Sequence, residues 1–501
     1  MISIGYDVGS SSIKASLYDT SSGKALAQST SPQTEMRIDS PHPGWAEQDP
    51  EGWWANVKAA TSELFSKARV DKKDVKAIGI SYQMHGLVVV DEGLHVLRPS
   101  IIWCDSRAVG IGESAFREIG EEKCLKALLN SPGNFTASKL KWVIENEPAV
   151  FKRVYKFMLP GDFIAMKLSG EITTSATGLS EGILWNFADD RPADFVMEHF
   201  GFDSNLVPRI VDSFGVQCTV SKKAAAEIGL QEGTPVTYRA GDQPNNAFSL
   251  NVLEPGEIAS TAGTSGVVYG VSEKVLFDNR SRVNTFAHVN HKKDRKRLGI
   301  LLCINGTGIS YGWIRRMLFD GPVAYEQLNA IADQSEIGSR GLTFLPFGNG
   351  AERMLSNMNP FSQFSGIDFN THTRGNILRS VLEGVAFSFY YGIKILGELG
   401  VEPRIIRAGM ANMYLNKTFR TAVATLSGAE IQLYNTDGSL GAARAAAYGA
   451  GGYSNLNEAF KELKCIETVQ PDRLNYDGYR SAYENWEKQL VLITKQLEKR
   501  I

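Results

Sequence analysis

Apolar and polar positions alternate from the first residues of the chain. Ile2, Ile4 and Tyr6 mark one run, Asp7-Val8-Gly9-Ser10-Ser11-Ser12 breaks it, Ile13, Ala15 and Leu17 resume it, and Ser21-Ser22-Gly23 turns it again. Period-two runs separated by Gly and Ser clusters predict a three-stranded meander over residues 2–30. After an irregular excursion over residues 31–50 the period becomes helical: Trp53, Val57, Ala60 and Leu64 share one face, with Asp49 as N-cap and Pro50 in the first helical position. Further strands are expected at residues 77–81, 87–90, 235–237, 258–262 and 267–271 and at Ile405-Ile406. Helices are expected from Thr136, from the Leu159-Pro160-Gly161-Asp162 turn, through Ile377, Val381, Val385 and Phe389, through Phe419, Val423 and Leu426, from the small-residue run at Gly438, and through Trp486, Leu490 and Ile493. Strands interleaved with helices place the chain in the α/β class.

Length changes the picture first. At 501 residues the chain exceeds one ordinary core, so two large lobes are expected. A net charge of -2 argues against nucleic acid or an anionic membrane as the main partner, because both call for surplus Lys and Arg. Five cysteines, Cys104, Cys124, Cys218, Cys303 and Cys465, form no CxxC pair and no metal-ligand spacing, which fits reduced thiols in the cytoplasm and no structural zinc. The beginning of the chain shows no secretory pattern, and no apolar run is long enough to span a bilayer.

The candidate chemistry lies where the patterns break. In Tyr238-Arg239-Ala240-Gly241-Asp242-Gln243-Pro244 a lone carboxylate follows a strand on a Gly-flanked turn, and Asp242 is either a general base or a turn residue capping its own backbone. Gly9, Ser10, Ser11 and Ser12 offer N–H groups and hydroxyls to phosphate oxygens, Lys14 adds positive charge, and Asp7 is placed to hold a metal ion through water; the alternative is a polar hairpin turn. Neither a Walker A loop nor a strand-associated G-x-G-x-x-G is present. Gly263-Thr264-Ser265-Gly266 repeats the strand, turn, strand arrangement and is either an internal echo or a second common hairpin. Gln83-Met84-His85-Gly86 lies at a strand end, where open α/β sheets place ligands, so His85 is read as part of a polyol pocket or as a core histidine. Trp103-Cys104-Asp105-Ser106-Arg107 groups an aromatic face with charges; Trp103 and Asp105 reach the same pocket, or Asp105 forms a buried ion pair with Arg107.

Taken in order, these segments resemble the FGGY family of carbohydrate kinases, within the sugar-kinase, heat-shock-protein and actin superfamily. Asp7-Val8-Gly9-Ser10 is similar to its first phosphate loop and residues 43–50 to a segment of its amino-terminal lobe. Thr136 with Lys139, Leu140 and Trp142 is similar to its first signature, and Ser362-Gln363-Phe364-Ser365-Gly366-Ile367 before Ser380-Val381-Leu382-Glu383 to its second. The tetrad at 83–86 is most similar to the branch that phosphorylates xylulose. Gln243-Pro244 after Asp242 is closer to the glycerol-specific branch, whose Arg-Glu substrate motif is absent, and the turn at residues 408–412 carries less glycine than is usual in the family.

The resemblance implies a two-lobed actin-like ATPase (ribonuclease H-like) fold, each lobe a mixed five-stranded sheet flanked by helices around a cleft. Residues 1–245 would form the sugar-binding lobe and 246–501 the nucleotide-binding lobe. It further implies ATP and Mg²⁺, with D-xylulose phosphorylated at its 5-hydroxyl and Asp242 as base. Gln83, Met84, His85, Trp103, Asp105 and Gln243 would hold the sugar. Gly9, Ser10, Ser11, Ser12, Lys14, Gly263, Thr264, Ser265, Gly409, Met410 and Asn412 would hold the nucleotide, and Asp7 and Asp242 the metal. Gluconate, ribulose, fuculose or glycerol as substrate, a sensor without chemistry, and a homodimer stay open.

Overall fold

The computed structural model describes residues 1–499. The opening meander forms as its alternation predicts: β1 (Ile2–Val8), β2 (Ile13–Asp19) and β3 (Lys24–Ser31) pair antiparallel in sequence. β4 (Val75–Tyr82) and β6 (Pro235–Gly241) then join parallel to β1, and β5 (Phe214–Thr219) closes one edge. The order is β5-β6-β4-β1-β2-β3.

The second lobe repeats this plan. β7 (Glu257–Ala262), β8 (Gly266–Ser272), β9 (Asn284–Ala287) and β10 (Leu298–Ile304) build its antiparallel half, and β11 (Ile405–Gly409) and β12 (Glu430–Tyr434) extend it in parallel. β13 (Cys465–Val469) lies at one edge, giving the order β9-β10-β8-β7-β11-β12-β13. The expected echo is therefore topological: both Gly/Ser turns join the first two strands of a sheet whose first strand pairs in parallel with a later one. Each sheet holds the expected mixed set of five strands, widened to six and seven by β5, β9 and β13. These edge strands are short and carry polar, partly exposed positions, so the sequence gives them no clean period.

Helices form where caps and stripes predict. α1 (Pro50–Lys67) is capped by Asp49, which accepts from the Glu51 amide at 3.0 Å. α2 (Thr136–Asn146), α3 (Pro160–Ser169) and α4 (Ala176–Glu181) follow in the first lobe. Asp242 stands at the first position of α5 (Asp242–Ser249) and not on a free turn, so the chain passes directly from strand to helix. α6 (Arg374–Glu398) is the long buried helix of the second lobe, and α7 (Lys417–Ser427) follows β11.

The small-residue helix α8 (Gly438–Gly449) packs on the sheet of the first lobe. A Cβ on Gly5 or Gly79 would lie 2.1 Å from the carbonyl oxygen of Ser439 or Ala442 respectively, so strand and helix backbones touch and only glycine fits. Thr237 Oγ1 donates to the Ala446 carbonyl at 2.8 Å across the same contact. α9 (Tyr476–Glu498) buries Trp486 against β-strand residues of the second lobe, its indole donating to the Phe344 carbonyl at 2.9 Å. No described helix is long and apolar enough to cross a membrane, and all five cysteines are free.

Candidate active site

Register brings the chemistry together. Val8, Tyr82 and Gly241 are aligned partners at the carboxyl ends of the parallel strands β1, β4 and β6. The Gly9 turn, the 83–86 tetrad and Asp242 therefore leave the sheet side by side, although more than two hundred residues separate the first from the last. They open onto a cavity of about 850 Å³ lined by Asp7, Gly9, Ser10, Ser11, Ser12, Lys14, Gln83, Met84, His85, Trp103, Asp242, Gln243 and Ser265.

At the first turn, the Gly9 N–H closes on the Ser12 carbonyl at 3.1 Å. Gln48 donates to the Ser10 carbonyl at 2.7 Å, so the excursion before α1 supports this turn from behind. Lys14 sits directly opposite Asp7 in the β1–β2 pair. Burial pushes the Asp7 carboxyl above its ordinary range against the opposing effects of the Ser81 hydroxyl, 2.8 Å away, and Lys14. Asp242 is raised from 3.8 to about 7, first by burial and then by the charge of Asp7. Two carboxylates that resist joint ionisation, beside hydroxyls and a lysine, suit a hard cation shared with phosphate oxygens.

On another wall of the cavity, His85 holds a left-handed backbone, φ 61°, which costs energy in a non-glycine residue. Buried Lys139 pins it, donating to the His85 carbonyl at 2.8 Å and to that of Ile102 at 2.9 Å. His85 Nδ1 lies 2.9 Å from the Glu181 carbonyl. A carbonyl only accepts, so the proton sits on Nδ1 and Nε2 is left as an acceptor. Burial, then the charge of Lys139, lowers the imidazole to about 3, which keeps it neutral. Among the described residues the buried amide oxygens of Gln83 and Gln243 have no hydrogen-bond partner. Trp103, 54% exposed, presents its ring to the same space, and its indole N–H points to Ser10 Oγ at 3.4 Å.

Some predicted site residues lie elsewhere. Asp105 is fully buried, accepting from the Ala46 amide at 2.6 Å and paired with Arg107 at 2.7 Å, and does not line the cavity. Gly263 and Thr264 sit behind Ser265 and accept from the amides of Gly308 and Ile309. Gly409 ends β11, and Met410 and Asn412 follow it beside that turn, where a Cβ on Gly263 would lie 3.6 Å from Asn412 Nδ2. Residues without a sequence signal complete the wall: Phe135, edge-on to His85 with ring centres 4.8 Å apart, Asn284, Cys303 and Arg353. The turn-forming run 130–134 marks the approach to Phe135, but nothing in the irregular stretch around Arg353 announces a cavity.

Residues 2–249 match the pattern of the FGGY family of carbohydrate kinases, N-terminal domain. A xylulose kinase of Staphylococcus epidermidis is 30% identical over 500 residues, covering 99% of this chain and 97% of that protein. The chain belongs to the FGGY family of carbohydrate kinases. A xylulose kinase of Escherichia coli is 28% identical over 97% of this chain and 98% of its own. The crystal structure of xylulose kinase from Rhodospirillum rubrum superposes with a TM-score of 0.90 at 26% identity, covering 99% of this chain and 100% of that one. Gluconate kinase from Lactobacillus acidophilus gives the same TM-score at 21% identity, over the whole of both chains. The two-lobed actin-like architecture is thus that of an FGGY carbohydrate kinase, and a shared fold does not select the sugar.

Proposed function

We propose that this FGGY kinase transfers the γ-phosphoryl group of ATP to the 5-hydroxyl of D-xylulose, with Asp242 as general base. The observation that carries the reading is one cavity in which a carboxylate raised to about 7 stands beside unpartnered hydrogen-bond acceptors and an exposed indole face. Gln83 Oε1, Gln243 Oε1 and the free Nε2 of His85 each need a donor, and a polyol supplies several. Trp103 and Phe135 give the sugar's carbon face an apolar wall.

Asp242 accepts the hydroxyl proton as the oxygen attacks, and a base near pH 7 is matched to that task. The Gly9 turn, Lys14 and Ser265 orient the phosphates and meet the charge spread over the transferred group. Asp7 and Asp242 would hold Mg²⁺, which would supply neutralisation of phosphate charge. Among the described residues no cluster of three or more metal-ligating side chains occurs.

A second reading has its own observation. Arg353 lines the cavity, and its hydrogen bonds among the described residues go to the Ser281 carbonyl and Asn284 Oδ1, not to a carboxylate. An unpaired guanidinium suits an acidic sugar such as gluconate. A plate of D-xylulose, ribulose, fuculose, gluconate and glycerol with ATP, read by coupled ADP release, tests both. Highest kcat/KM is expected for xylulose; preference for gluconate selects the second reading, and ADP release insensitive to every sugar removes both.

A further inference from the structure

We propose that Glu181 is a positioning residue of the acceptor site, the wedge that holds Gly241, and with it Asp242, against Met84 and His85. The inference rests on the reading of Asp242 as the base. Asp242 enters the cavity from the first position of α5, so whatever fixes Gly241 fixes where that side chain begins. A Cβ on Gly241 would lie 2.6 Å from Glu181 Oε2 and 2.6 Å from Met84 Cγ, so the carboxyl and the thioether close on bare backbone.

Glu181 ends α4, whose neighbouring residues are themselves buried, and at 2% exposure it has no route outward. Its main chain acts on the same pocket, because its carbonyl takes the Nδ1 proton of His85. One residue therefore touches both the base-bearing junction and the sugar-facing histidine. Neither carboxyl oxygen meets hydrogen-bonding geometry, although the Tyr82 hydroxyl is near enough to favour the ionised form in part. Burial, with the charge of Asp242, pushes the carboxyl well above its usual range, against the Tyr82 hydroxyl and the charge of Lys139. An unsatisfied buried polar group costs stability that an apolar side chain would not. Beside a reacting centre, such a local conflict marks a place where function overrides packing.

The test measures kcat, sugar KM and the ratio of sugar-dependent to sugar-independent ADP release in Glu181→Ala, Glu181→Asp, Glu181→Gln and Asp242→Asn. Emptying or shortening the wedge lets the base drift, and Ala and Asp are each expected to lower kcat and the ratio by about 10- to 100-fold while sugar KM moves less than about threefold. Gln, equal to Glu in length and shape, keeps the wedge and restores most of both. A merely structural role would reduce the amount of active protein and lower both rates together, leaving the ratio alone. Should Glu181→Ala not fold, Glu181→Asp carries the same reading with the acid kept. A wild-type ratio in the Ala or Asp variant, or a Gln variant as impaired as Ala, overturns the proposal. If Asp242→Asn keeps near-normal turnover, the base reading itself fails; if it is inactive while Glu181→Ala and Glu181→Asp keep the ratio, only the present inference falls.

Discussion

Asp242→Asn replaces a carboxylate by a neutral amide of the same shape, and its effects on turnover and stability run in opposite directions. In the folded chain, burial and Asp7 raise this carboxyl from 3.8 to about 7. At about 1.4 kcal/mol per factor of ten, that rise corresponds to roughly 4 kcal/mol of disfavoured ionisation. Asp242 borders the cavity, so solvent screening reduces the figure to about 1–3 kcal/mol. Because the folded state binds this proton more tightly than the unfolded chain, the penalty is absent below the unfolded value of 3.8. It grows as pH rises and is complete above about 7. Asparagine carries no such penalty. The variant should match wild type near pH 4 and exceed it by about 1–3 kcal/mol near pH 8, about 1–3 °C in thermal midpoint for a chain of this size. Turnover should fall about 100-fold or more. Scanning calorimetry without nucleotide or divalent cation, at both pH values, reads the first effect, and coupled ADP release the second. A variant no more stable than wild type at the higher pH would show that the carboxylate is not held in a desolvated, like-charged site, and near-normal turnover would remove it from the base role.

If Asp242 is the base proposed above, wild-type kcat should decline on the acid side with a midpoint at or below about 7, since a bound cation lowers a carboxyl further; a profile flat down to about pH 4 contradicts that assignment. His85→Ala should raise the sugar's KM about tenfold or more by removing the Nε2 acceptor, with the KM for ATP little changed; an unmoved sugar KM returns His85 to the core. Asp105→Ala leaves Arg107 buried beside Glu47 with part of its pairing gone and should cost about 3–5 kcal/mol in denaturant unfolding. Because Asp105 does not reach the cavity, the folded fraction should keep its sugar KM, and a large KM change would place Asp105 in substrate binding. Gly79→Ala sets a Cβ 2.1 Å from the Ala442 carbonyl and should displace α8 at a cost of about 1–3 kcal/mol; a thermal midpoint equal to wild type contradicts the close packing of strand and helix.

Much of the fold was legible because its signals are local. Alternation over residues 2–30 gives the meander, Asp49-Pro50 starts α1 where capping chemistry requires, and Gly/Ser clusters mark both hairpin turns. Candidate site residues that sit at strand ends, residues 7–14, 83–85 and 242–243, were found for the same reason, since a broken period next to a strand is visible in one dimension. Asp242 on a helix start instead of a turn, and the edge strands β5, β9 and β13, were harder to see because Gln243-Pro244 reads as turn chemistry and short edge strands carry little period.

The sequence by itself determined the opening meander, the strands β4, β6, β7, β8 and β11, the capped or striped helices, where each of those patterns breaks, and which side chains could serve phosphate, sugar and proton. Tertiary structure alone decided which of them meet. Parallel pairing of β4 with β1 and β6 places Val8, Tyr82 and Gly241 in one row, and that row carries the Gly9 turn, His85 and Asp242 to a single cavity. The same packing turned Asp105 inward to Arg107, brought Arg353 and Phe135 into the wall, and set the Glu181 carboxyl on Gly241. The physical reason is one of range: periodicity and capping act over a few residues, whereas strand register and the burial that shifts a carboxyl to about 7 depend on partners hundreds of residues away.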